Sequence, residues 1–145
     1  MQRRLWIVLV CLLVGAMFTG SAFAQDDDVD IDDLLVAATT AYGDGDYETA
    51  VDIATTIIEA DPQNLAGYII RADSYRQLDE NELAAADYGM AIEFAPDDSE
   101  AWFYRGLTSY RAGGDDVNYE RIISDMDRAL ELGFFDEAWA YNIRG

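Results

Sequence analysis

The sequence predicts an all-α protein, a short solenoid of about three helical hairpins followed by a C-terminal helix. Pro62 and Pro96 mark out a period, and their neighbours repeat with them: Ile58-Glu59 with Ile92-Glu93, Ala50 with Ala84, Ala38 with Ala72, and Leu34 with Tyr68 and then Trp102. In each unit a large apolar residue is followed four positions later by a small one (Leu34 and Ala38, Tyr68 and Ala72, Trp102 and Gly106). Such pairs lie one helical turn apart on one face, where the small residue lets a second helix approach. Repeats of this length are two-helix units that bury their apolar faces by stacking.

The elements follow in order. A first helix at about 31–43 ends where Gly43-Asp44-Gly45-Asp46 interrupts the apolar pattern, and a second at about 46–60 stops before Pro62, because proline disfavours helix in the residue before it. A third helix at about 64–78 is closed by Asp79-Glu80-Asn81, and a fourth at about 81–94 stops before Pro96. A fifth is expected at about 98–112, with Asp97 and Glu100 at capping-box spacing. A sixth is expected at about 117–132, and a shorter helix from about 136 to the end.

These residues resemble the tetratricopeptide repeat (TPR). The second unit carries Tyr68, Ala72, Tyr75, Ala84, Tyr88, Ala91-Ile92 and Pro96; the first carries Leu34, Ala38, Gly45-Asp46-Tyr47, Ala50 and Asp61-Pro62; the third carries Trp102, Gly106 and Ala129-Leu130-Glu131-Leu132. The resemblance spans about Asp33 to Leu132. The third unit departs from it. The step from Ala91 to Ala129 is longer than the period, which places a short insertion of about one helical turn within Ala112–Asn118. This unit also has Ile122 at a position where the family carries a small residue, and it closes with Gly133.

The resemblance implies a protein-interaction domain in which the first helix of each pair lines a concave groove. Carried over by position, the groove residues are Leu35, Thr39 and Tyr42, then Ile69, Asp73 and Arg76, then Phe103, Leu107, Tyr110 and Arg111. Apolar and aromatic anchors beside two Arg and one Asp suit an extended peptide or a helix of a protein partner; the bland alternative is that some of them only cover the next hairpin. Family members that grip a C-terminal carboxylate use a basic and amide clamp. The matching positions here are Leu35, Thr39, Ile70, Glu100 and Tyr104. None is basic or an amide, so the resemblance implies no receptor of that type.

The N-terminus reads as an address. Arg3 and Arg4 precede an apolar run from Leu5 to Phe18, and a small-residue tail ends Ala22-Phe23-Ala24. This layout predicts a secretory signal peptide over residues 1–24, cleaved between Ala24 and Gln25, and an exported product: periplasmic, cell-surface or secreted. An acidic, disordered lead over 25–32 and a repeat domain over 33–145 would follow. The alternative is an uncleaved anchor, the one case in which the chain would engage a membrane. Cys11 is the only cysteine, so cleavage would leave neither a disulfide nor a thiolate metal site.

Charge excludes further classes. The chain carries 29 acidic residues against 9 basic ones, a net charge of −20, and all nine are Arg. Such a chain repels nucleic acid and anionic lipid. The acidity fits a solvated surface, adaptation to high salt, or attraction to a basic partner. With no His and no Lys, the usual general base and amine nucleophile are missing, so no enzyme and no cofactor are expected. Asp26, Asp27, Asp28, Asp30, Asp32 and Asp33 crowd together but lack the Gly and closing Glu of an EF-hand loop. A disordered lead that favours the first helix's N-terminus is the simpler reading, and an acidic calcium-responsive module the alternative. Phe134, Phe135, Trp139, Tyr141 and Ile143 make the C-terminus apolar. The C-terminal helix is expected to cap the third pair or, alternatively, to be completed by a second copy in a self-associating structural protein.

Overall fold

The computed structural model describes residues 30–114 and 117–134. The expected signal segment with Ala22, Ala24 and Gln25, the Asp26–Asp28 cluster and the helix expected from about 136 lie outside the described residues. Among the described residues six helices follow one another: α1 (Ile31–Gly43), α2 (Tyr47–Ala60), α3 (Leu65–Gln77), α4 (Asn81–Phe94), α5 (Ser99–Ala112) and α6 (Tyr119–Glu131). Each packs on its neighbours in sequence, and α1 also touches α3. The result is a solenoid of three hairpins, as the period predicts.

The period reaches into the backbone itself. Asp30, Asn64 and Asp98 occupy the same place in successive repeats, and each caps the first helix of its unit with its side-chain oxygen. Capping-box spacing points to Asp97 for the third of these caps. The structure places it on Asp98, which accepts from Glu100 N and Ala101 N at 2.9 and 3.1 Å, because the carboxylate must stand beside the unpaired N–H groups of the first turn. The turns inside the hairpins share a positive φ, at Gly45 (81°), Asp79 (61°) and Gly113 (62°).

The small residues pack as the period requires. Ala38, Ala50, Ala54, Ala72, Ala84, Ala91 and Ala129 are all at 0% exposure. Tyr68 and Trp102 each hydrogen-bond back to the turn before them, to Pro62 O at 3.3 Å and Pro96 O at 3.0 Å. In the third unit bulky Ile122 is buried, 2% exposed, and its backbone carbonyl lies near Gly106 of α5. A Cβ on Gly106 would strike Met126 Cε and come within 3.3 Å of Asp125 Cβ. Gly106 on α5 thus leaves room for Met126 and Asp125 of α6.

Candidate functional site

The first helices of the units, α1, α3 and α5, present the residues expected to line the groove, and the structure separates them into two groups. Leu35, Tyr42, Ile69, Asp73 and Arg76 are half-buried, while Thr39, Tyr110 and Arg111 are exposed. Phe103 and Leu107, by contrast, are 4% and 5% exposed. They belong to an apolar cluster with Met126 and Ala129, and the Phe103 ring stacks on Phe134 with centroids 4.1 Å apart. Two apolar residues at the last first-helix thus act as core: Phe134, just past α6, and the α6 residues Met126 and Ala129 pack against them, which spacing within α5 alone does not reveal.

At the centre, three helices meet in a polar cluster. Tyr88 rises from α4 between α3 and α5 and donates its hydroxyl to Asp73 Oδ1 at 2.6 Å. Arg76 donates from Nη2 to the same Asp73 oxygen at 3.2 Å and from Nε to the Tyr88 hydroxyl at 3.3 Å. Its guanidinium lies over the Tyr104 ring, 4.6 Å from the centroid, a favourable cation–π placement. Tyr104 in turn stacks on Tyr88 at 5.6 Å. Burial holds the Tyr88 hydroxyl protonated to well above the usual tyrosine range, and the Asp73 charge and hydrogen bond reinforce this. Burial works against the Arg76 charge, but the Tyr88 and Asp73 oxygens outweigh it and leave the guanidinium pKa raised. Burial also raises Tyr104.

Beside this cluster, Gln77 Nε2 donates to the Tyr42 hydroxyl at 3.4 Å, linking α3 to α1. Tyr42, Arg76 and Tyr110 are the equivalent residues of the three units, near the C-terminal ends of these helices. Arg111 follows Tyr110 and forms no ion pair among the described residues.

Sequence reasoning gave Tyr104 only as a clamp position and Tyr88 only as a repeat residue, and joined neither to Asp73 and Arg76. The signal was present: Tyr88 is a family-pattern aromatic on the second helix, and Tyr104 directly follows Phe103. Among the described residues no group of three or more His, Cys, Asp or Glu is placed to hold a metal ion, and no helix is long and apolar enough to cross a membrane.

No family model matches the chain. It is 34% identical over 102 residues to the SGT1 homologue of Oryza sativa subsp. japonica, covering 70% of this chain and 26% of that protein. It is 37% identical over 73 residues to the STIP1 homologue of Dictyostelium discoideum, covering 50% of this chain and 13% of that protein. The chain therefore spans about a quarter or less of the curated relatives it matches. Among solved structures it is similar to the first TPR of Spaghetti (RPAP3), bound there to the HSP90 peptide SRMEEVD. That match has a TM-score of 0.68 and 24% identity, over 79% of this chain and 86% of the other. The chain has the tetratricopeptide repeat fold.

Proposed function

We propose that this chain is an exported, non-catalytic interaction module, an adaptor or assembly scaffold that holds a peptide or helix of another protein against the face of α1, α3 and α5. The observation that carries this reading is the cluster of Asp73, Arg76, Tyr88 and Tyr104. It fixes two polar side chains on that face before any partner arrives, beside the half-buried Leu35, Tyr42 and Ile69. Preorganised polar groups beside apolar anchors lower the entropic cost of binding a flexible segment. The similar Spaghetti domain holds a peptide on the same fold, which supports the reading. Export rests on the layout of residues 1–24, and N-terminal sequencing of secreted product tests it: a start at Gln25 supports cleavage.

Cross-linking tests the groove. A photo-reactive residue replaces Thr39, exposed on α1, and in a second sample Glu82, exposed on α4. A discrete adduct from Thr39 alone, formed in native extract, supports groove binding. Equal labelling from both positions, or adducts only between copies of the chain, moves the reading to self-assembly.

A further inference from the structure

Arg76 is the cation of the central cluster, and it is already committed. Its Nε and Nη2 are taken by Tyr88 and Asp73, its flat face by Tyr104, and its charge is offset by the Asp73 carboxylate at 3.2 Å. Two polar atoms are left over. Among the described residues no hydrogen bond engages Asp73 Oδ2 or Arg76 Nη1, and both side chains keep some exposure, 26% and 18%. Among the described residues only Asn81 Oδ1 is a buried side-chain N or O without a partner, so these two atoms reach solvent. The pair is therefore charge-compensated, with one acceptor and one donor still open to solvent, one helical turn apart on α3.

We infer that this groove reads the main chain of an internal, extended peptide segment, with Asp73 accepting a backbone N–H, Arg76 donating to a backbone C=O, and flanking apolar side chains resting on Tyr42 and Ile69. The inference rests on the groove reading above and names the class of segment it takes. Main-chain hydrogen bonds supply affinity in this mode, and the pockets for side chains supply selectivity. Charge favours it: beside Asp73 a terminal carboxylate would find only the compensated Arg76 (Arg111, unpaired among the described residues, stands on another helix, α5), and it would approach a chain of net charge −20, whose field repels anions. An internal amide carries no charge and meets neither obstacle.

The test is selection with the immobilised protein from two random peptide libraries of one design, one displayed with both ends blocked by fusion and one with a free C-terminus. The best peptides are remade with free and amidated ends. Enrichment from the blocked library, and affinity unchanged by amidation, is the expected result. Arg76→Gln and Asp73→Asn are then expected to weaken the selected peptide about tenfold each, roughly 1.4 kcal/mol, with unchanged circular dichroism. Binding that needs the free carboxylate overturns the inference and leaves the groove standing. No enrichment from either library overturns the groove reading itself. The amidation comparison uses the unaltered protein, so it holds even where a variant fails to fold.

Discussion

Arg71 on α3 grips Asp87 on α4 with both arms of its guanidinium, Nε to Oδ2 at 2.7 Å and Nη2 to Oδ1 at 2.8 Å, and Nη1 reaches back to Thr55 on α2 at 3.2 Å. One unit later Arg105 grips Asp125 in the same way, with Nε at 2.8 Å from Oδ2. Each guanidinium also lies over the ring of the unit's aromatic signature residue, Tyr68 or Trp102. The first unit has Ala37 and Ile53 at the matching positions. Two hairpins are thus joined by ion pairs inside the fold, and the first carries no such pair among the described residues.

Removing one partner of such a pair should be costly. Asp87 is 8% and Arg71 18% exposed at the side chain, so Arg71→Ala would leave a carboxylate with little water. The expected loss is about 3–5 kcal/mol, read by urea unfolding. The double variant Arg71→Met/Asp87→Leu should recover most of it, because two apolar side chains need no solvation. A single-variant loss below about 1 kcal/mol would show the pair behaving as a surface bridge.

Phe103 separates core from groove. At 4% exposure and stacked on Phe134, its truncation to Ala should cost about 3–5 kcal/mol of stability. Thr39→Ala, on an exposed position, should change stability by less than about 0.5 kcal/mol. Equal, small effects in a thermal unfolding comparison would return Phe103 to the binding surface.

Asp79 closes α3 with a φ of 61°, a region that glycine enters freely and other L-residues enter at a cost. The equivalent position one unit earlier is Gly45, at 81°. Asp79→Gly should therefore be neutral or stabilising by up to about 1 kcal/mol, and Gly45→Val destabilising by about 1–2 kcal/mol. The reverse order in denaturant midpoints would mean that the Asp79 side chain holds the turn.

Tyr88 sets an alkaline limit. Its pKa is raised in the fold by burial and by Asp73, so the folded state holds this proton more tightly than the unfolded chain, where tyrosine titrates near about 10. The sign follows by linkage: this stabilisation is fully present below that pH and is lost as pH rises toward the folded value. Absorbance at alkaline pH should show the Tyr88 ionisation only as the protein unfolds, later than the exposed tyrosines, with Tyr104 also shifted upward. Tyr88→Phe should abolish that late component; an unchanged titration would place the resistant tyrosine elsewhere.

Much of this was legible before any coordinates. The repeat register located Ala38, Ala50, Ala72 and Ala84, and all four are fully buried, because a repeat puts the same residue at the same phase of every helix. The helix ends also followed, to within a turn, from Pro, Gly and Asp. The Arg–Asp pairs were written in the same register, Arg71 with Arg105 and Asp87 with Asp125, yet each charge on its own looks like a solvated surface residue. Tyr88 was visible as a signature aromatic, but its reach to Asp73 was not.

The sequence by itself determined the fold class, the three-hairpin count and the acidic character, because helix period, turn chemistry and net charge are local or additive. Only the tertiary structure decided which of the residues expected to line a groove stay open. Phe103 is core because Phe134, from beyond the end of α6, comes to rest on it. Arg76 is a neutralised donor rather than a free cation because Asp73, Tyr88 and Tyr104 converge on it from three helices. Burial and charge compensation depend on neighbours brought in from distant segments, and no spacing along one helix contains them.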